Sequence, residues 1–88
     1  MSIYMVERSL KGIPMSDLAA AQQAAIATTR QMTADGTPVR YVRSTFVPDS
    51  GCCMCLFEAG DAAAVEKANR SANIPFDRIV EAYDLTPQ

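Results

Sequence analysis

Apolar and polar residues alternate near the start of the chain. Tyr4 and Val6 share one parity, whereas Met5 and Glu7 share the other. Alternation at period two in a segment rich in β-branched and aromatic residues is typical of a half-buried strand. The pattern therefore predicts a first strand over residues 2–10.

A helical pattern follows this strand. Ser16 is a suitable N-cap, and Asp17 suits the positive end of a helix dipole, so a helix is predicted to begin there. The pair Asp35-Gly36 is predicted to end it, because glycine readily adopts the left-handed conformation of a helix C-terminus. The inward stripe, spaced by three and four residues, consists of Leu18, Ala21, Ala25, Thr29 and Met32.

A hairpin is predicted next. Residues 39–46 and Cys52–Ala59 both alternate, and the segment between them includes Pro-Asp-Ser-Gly at positions 48–51, which is a strong turn signal. Two strands joined by so short a turn pair in antiparallel fashion.

The last third of the chain predicts a short helix and a final strand. Asp61 is expected to cap the helix, and Asn73 to take the left-handed conformation at its end. Pro75 prevents the helix from continuing, and residues 78–85 alternate as a fourth strand. The inward stripe of this helix is Val65, Ala68 and Ala72.

The order of elements is therefore βαββαβ, which is the split-βαβ arrangement. It predicts an α+β fold of the ferredoxin-like class: a sandwich of a four-stranded antiparallel sheet, in the order 4-1-3-2, with two helices on one face. Residues 1–88 are expected to form one domain.

Strand alternation divides the sheet into a helix-facing side and an open face. The set predicted for the helix-facing side is nearly all apolar: Tyr4, Val6, Val42, Phe46, Cys53, Cys55, Phe57, Val80 and Ala82. The set predicted for the open face mixes apolar and ionisable residues: Ile3, Met5, Glu7, Tyr41, Arg43, Thr45, Cys52, Met54, Leu56, Glu58, Ile79, Glu81 and Tyr83.

The open face carries more large apolar residues than a solvated face normally does, so we expect it to be covered. With only two helices in the chain, the cover must come from elsewhere. A second copy of the chain is the simplest cover, and we therefore predict a homodimer through the sheet face.

Three predicted open-face carboxylates, Glu7, Glu58 and Glu81, belong to three adjacent strands. If the three carboxylates lie at matching positions along their strands, they could bind a cation, share protons with raised pKa values, or pair with Arg43 and Arg8. The metal-site hypothesis names the three glutamates as ligands, and the pocket around them includes three further residues: Tyr41, Arg43 and Tyr83. The alternative is that the glutamates are solvated or salt-bridged at the edges of a dimer interface.

Composition narrows the chemistry further. The formal charge is −2, which disfavours a nucleic-acid partner, and the sequence holds no histidine, which excludes Ser-His and Cys-His nucleophiles. No apolar run suits a membrane span, and no signal peptide is evident, so no membrane partner is expected.

Three cysteines within residues 52–55 do not suit a secreted disulfide framework and favour a reducing, cytoplasmic location. They are interpreted mainly as small buried apolar residues, with Cys52 facing away from Cys53 and Cys55.

Three short motifs resemble those of the small nickel-responsive, nickel-binding proteins of bacteria. They are Tyr-Met-Val-Glu-Arg at 4–8, Cys-Leu-Phe-Glu-Ala at 55–59 and Ala-Asn-Ile-Pro-Phe-Asp-Arg-Ile-Val-Glu at 72–81. The resemblance covers almost the whole chain. It implies a ferredoxin-like fold, dimerisation through the sheet and, for at least some members, nickel binding.

The sequence departs from the family pattern at two positions. Asn69 stands where members often carry a histidine, and Asn73 replaces the usual glycine. Nickel favours imidazole and sulfur ligands, whereas a carboxylate cluster suits magnesium or manganese. The cofactor expectation is therefore a divalent metal, with nickel implied only by the resemblance.

Two functions that involve a ligand or substrate follow as hypotheses, beside a third interpretation in which the chain is a structural or regulatory dimer whose sheet face is all interface. The first is a homodimeric protein that binds a metal ion or small molecule in an open-face pocket. The second, by analogy of fold, is a cofactor-independent isomerase, cyclase or oxygenase in which Glu7 or Glu81 is the base and Tyr41 or Tyr83 the proton donor.

Overall fold

The computed structural model describes residues 1–87. Its elements follow the predicted order: β1 (Ser2–Ser9), α1 (Met15–Ala34), β2 (Val39–Val47), β3 (Cys52–Ala59), α2 (Ala62–Ser71) and β4 (Arg78–Ala82). The sheet has the order β2-β3-β1-β4, and every neighbouring pair is antiparallel. The predicted ferredoxin-like α+β fold and its strand order are confirmed. No helix within residues 1–87 is both long enough and apolar enough to cross a membrane.

The first helix begins earlier than predicted. Pro14 occupies the N-cap position, with no side-chain cap, and the backbone N–H of Leu18 donates to the Pro14 carbonyl at 3.0 Å. Ser16 therefore lies inside the helix, and its prediction as N-cap was wrong. The physical reason is that Pro14 already has the extended conformation that an N-cap residue requires.

Both predicted caps of the second helix are observed. The Asp61 carboxylate accepts a hydrogen bond from the Ala64 N–H at 2.9 Å. Asn73 has a φ of 58°, and the next residue, Ile74, donates its N–H to the Asn69 carbonyl at 3.0 Å. Asn73 therefore takes the left-handed position that ends α2.

The turn between β2 and β3 packs against the loop that follows β1. Gly51 has a φ of 78°, and a Cβ placed on it would lie 2.3 Å from the Lys11 Cα. The Leu10 N–H donates to the Gly51 carbonyl at 2.7 Å. A side chain at position 51 would therefore push the two loops apart, which explains the glycine.

The core lies between the sheet and the two helices. Phe57 on β3, Val6 on β1 and Val65 on α2 are its largest fully buried apolar side chains. The Phe57 ring packs edge-on against Tyr41, with the ring centroids 5.5 Å apart. Burial of these side chains supplies the main driving force for folding.

Strand β2 contains a bulge that the sequence did not reveal. Tyr41 lies opposite Phe57 and Arg43 lies opposite Leu56, so Val42 is an extra residue on β2. The prediction that Val42 belongs to the helix-facing side and Tyr41 to the open face was wrong. Before the bulge, Tyr41 shares the face of Phe57; after it, Arg43 lies on the open face as predicted.

Strand β4 is shorter than predicted and has the opposite phase. It ends at Ala82 rather than at residue 85, so Tyr83 lies outside it and is 85 % exposed. Ile79 pairs with Val6, and Glu81 pairs with Tyr4, so both share the helix-facing side. The expectation that Val80 and Ala82 face the helices was therefore also wrong, and both lie on the open face.

Candidate functional site

The open face has an apolar centre. Ile3 and Met5 of β1, Met54 and Leu56 of β3 and Val80 of β4 share it, and each is half-buried. No helix covers this side within residues 1–87. The centre therefore presents apolar surface that a partner could bury.

Charged pairs border this apolar centre. Glu7 pairs with Arg78, its direct neighbour on β4, and the hydrogen bond between them raises the pKa of the Arg78 side chain. Glu58 pairs with Arg40 across β3 and β2, with 3.3 Å between Oε1 and Nε. Both predicted ligands therefore already have cationic partners.

A third pair holds the chain that follows β4. Arg43 on the edge strand β2 pairs with Asp84, which follows the opposite edge strand β4. Because these two edge strands are separated by β3 and β1, the contact draws the segment after Ala82 toward the middle of the open face. The predicted pairing of glutamates with Arg43 or Arg8 is not observed.

The three glutamates predicted as metal ligands do not converge. Glu81 lies on the helix-facing side, because its partner is Tyr4. Glu58 pairs with Ile3, which is four residues from Glu7 on β1, so the two open-face glutamates are about 13 Å apart along the sheet. Residues 1–87 contain no group of three or more His, Cys, Asp or Glu side chains placed to hold a metal ion.

The residues predicted to act as base and proton donor also lie in different places. Tyr41 and Glu81 belong to the helix-facing side, Glu7 to the open face, and Tyr83 to the segment after β4. The expectation of one open-face pocket that contains Tyr41, Arg43 and Tyr83 was therefore wrong for Tyr41. Arg43 alone of the three is on an open-face strand position.

The helix-facing side contains a cavity of about 210 Å³ between the first half of α1 and the sheet. Small side chains on both walls leave this space: Ala21 and Ala25 on α1 oppose Ser44 on β2 and Cys55 on β3. Larger apolar side chains complete the walls, including Leu10, Leu18, Phe46 and Ile74.

One wall of the cavity carries a chain of hydrogen bonds. Gln22 Nε2 donates to the Tyr41 hydroxyl at 3.0 Å, and the Tyr41 and Ser44 hydroxyl oxygens are 2.5 Å apart. Ser44 donates to Cys55 Sγ at 2.9 Å, so its own oxygen accepts from Tyr41. These groups satisfy one another within the protein.

Arg8 lines the same cavity and is 3 % exposed. Its two terminal nitrogens donate to Asn69 Oδ1 at 2.8 Å and to the Pro75 carbonyl at 3.1 Å. Both acceptors are neutral. None of the ion pairs among residues 1–87 includes Arg8.

The cysteines divide between the two faces as predicted from alternation. Cys53 and Cys55 lie on the helix-facing side, with 3.8 Å between their sulfur atoms, and Cys52 lies on the other side. Burial, followed by the effect of neighbouring Cys55, raises the pKa of the Cys53 thiol to about 11. Cys53 is therefore a neutral thiol at physiological pH.

Arg8 and Ser44, which line this cavity, were not among the residues predicted for a site. A signal for Arg8 was present, because it has the same parity as Tyr4 and Val6. A signal for Ser44 was present as well, because it has the same parity as Phe46, which was placed on the helix-facing side.

Comparison with known proteins agrees with this architecture. The family model described as nickel responsive protein SCO4226-like matches residues 4–82. The crystal structure of SCO4226 from Streptomyces coelicolor A3(2) superposes with a TM-score of 0.81 at 26 % identity, covering 97 % of this chain and 100 % of that one. No curated protein matches the sequence. The resemblance predicted from the three motifs is confirmed.

Proposed function

This chain belongs to the SCO4226-like family of nickel-responsive proteins, and we propose that it acts as a homodimeric binding protein whose two copies meet through their open faces. The supporting observation is the apolar centre of that face, five half-buried side chains that no helix in the described part of the chain covers. Its border of ion pairs supplies the polar rim that is typical of protein interfaces. A cytoplasmic location, which suits three free cysteines, is part of this proposal.

Nickel itself does not fit the donors of one copy. Nickel favours imidazole and sulfur, the chain has no histidine, and residues 1–87 hold no three-donor group. A metal site on the open face therefore has to combine donors from two copies. Glu7 and Glu58 are the proposed carboxylate donors, and Glu81 is excluded because it lies on the other side of the sheet.

Dimerisation is tested by sedimentation and native mass spectrometry of the purified protein. Leu56→Asp places a charge in the apolar centre and should convert the dimer to a monomer, because burying an unpaired carboxylate is costly. Ala27→Asp, at an exposed position of α1, is the matched control and should remain dimeric. A monomeric wild-type protein, or a Leu56→Asp variant as dimeric as wild type, contradicts the proposed interface.

Metal binding is tested on the same dimer with nickel, manganese and magnesium. Stoichiometric uptake should be lost in Glu7→Gln and Glu58→Gln and retained in Glu81→Gln. A dimer that takes up no ion removes the metal from the proposal, and equal loss in all three variants shows that the open face does not hold it.

A further inference from the structure

We propose that the cavity between α1 and the sheet binds a small organic monocarboxylate, whose charge is paired with Arg8. This site lies on the side of the sheet opposite the proposed dimer interface. The inference therefore does not depend on the proposed function.

Arg8 is a buried cation that forms no ion pair with any of residues 1–87. Its partners, Asn69 Oδ1 and the Pro75 carbonyl, are neutral and use one N–H of each terminal nitrogen. A guanidinium has five N–H donors in a planar fork that matches a carboxylate, so donors remain for a ligand. Because an uncompensated buried charge is costly, a carboxylate that reached Arg8 would be favoured over a neutral group.

The rest of the cavity defines the other end of the ligand. Leu10, Leu18, Phe46 and Ile74 form apolar walls, and the polar groups of Tyr41, Ser44 and Cys55 are already paired. Such walls would leave the remaining oxygens of a phosphate or sulfate without partners, whereas they suit a hydrocarbon group.

The volume sets the size of that group. An apolar cavity of roughly 150 Å³ accommodates benzene, and this cavity measures about 210 Å³. A ring bearing one carboxylate, or a short branched aliphatic acid, fills the space. Benzoate is therefore the probe that this site should accept.

Calorimetric titration of the full chain with benzoate and with benzamide tests the charge requirement. Benzamide has nearly the same shape but no charge, so we expect it to bind about 10- to 100-fold more weakly. Amide NMR spectra should show benzoate-dependent shifts at Ala25, Cys53 and Cys55, which line the cavity.

Two variants locate the site without removing Arg8, whose loss could unfold the domain. Ala21→Leu fills the cavity while leaving the Arg8 contacts in place, and should abolish benzoate binding. Ala27→Leu, at an exposed position of the same helix, should bind benzoate as wild type does.

The proposal is overturned if benzoate does not bind at millimolar concentrations, if benzamide binds equally well, or if Ala21→Leu retains binding. Repeating the titration with the Leu56→Asp variant separates the two proposals. Benzoate binding that persists in a monomer supports this site whatever the outcome for the dimer.

Discussion

The arginines on the two sides of the sheet differ in their burial and in the charge of their partners. On the open face, Arg78 is 64 % exposed at its side chain and pairs with the carboxylate of Glu7. On the helix-facing side, Arg8 is almost fully buried and its partners are the neutral oxygens of Asn69 and Pro75. Glu7 and Arg8 are consecutive residues of one strand.

This difference shows where each kind of interaction matters. Water solvates the two charged groups of an exposed ion pair well in both the folded and the unfolded chain. Such a pair therefore changes the free energy of unfolding little. A buried cation has lost its water, so each remaining partner counts for more. The helix-facing side is therefore where substitutions should cost stability, and the open face is where they should change association.

The largest expected effect is on packing. Phe57→Ala, on the helix-facing side of β3, should lower the free energy of unfolding by about 3–5 kcal/mol, because it removes a ring that is 1 % exposed and packed against Tyr41. Met54→Ala, on the open face of the same strand, should cost clearly less when measured under monomeric conditions. Urea unfolding measures both values, and equal losses would contradict the contrast between the two sides.

The next effect concerns the Cys53 thiol. The pKa of this thiol is raised to about 11 in the folded protein, so the unfolded chain releases the proton at a lower pH, near 9.0. Between these two pH values the folded state binds more protons than the unfolded state does. The free energy of unfolding should therefore fall by about 2–3 kcal/mol as the pH rises through this range. Urea unfolding at several pH values should show a flatter decline for Cys53→Ala. The same decline in both proteins would assign it to other groups.

A smaller effect is expected at the partner of Arg8. Asn69→Leu removes an acceptor from a buried guanidinium and should cost about 1–3 kcal/mol of unfolding free energy. The double variant Arg8→Met with Asn69→Leu removes both polar partners and should recover part of that loss. If the double variant loses as much as the two single variants together, the contribution of Arg8 to stability does not depend on Asn69.

The smallest effect is expected at the exposed pair. Arg78→Met should leave the free energy of unfolding almost unchanged, because water and salt screen an exposed ion pair, and added salt should reduce even that small difference. Thermal unfolding at low and high salt measures it. A loss as large as that of Asn69→Leu would mean that the open-face pair is buried in solution, as a dimer interface would bury it.

Local patterns were sufficient to predict the order of elements, the hairpin and the two caps of α2, Asp61 and Asn73. Each depends on interactions within a few residues: alternation in a strand, an N-cap carboxylate that accepts a nearby N–H, or a left-handed residue after a helix. The same patterns placed Glu7 and Glu58 on the open face and Cys53 and Cys55 beneath the helices.

Only the tertiary structure decided which side of the sheet Glu81 and Tyr41 occupy. Residues 78–82 carry apolar side chains at both parities, so alternation alone leaves the phase of β4 undetermined. The phase is set by pairing with β1, where Ile79 lies beside Val6 and the Asp77 N–H donates to the Glu7 carbonyl at 2.7 Å. In β2, one extra residue reverses the alternation, and a bulge forms only against a partner strand.

The cavity and the burial of the Arg8 charge were likewise decided only by the tertiary structure. Ala21 and Ala25 of α1 are far in the sequence from Ser44 and Cys55, and the space they leave exists only where α1 crosses the sheet. The sequence determined which side chains are small and which one is cationic. Packing brought them together, because a side chain's burial and partners depend on every element that meets it and not on its own segment alone.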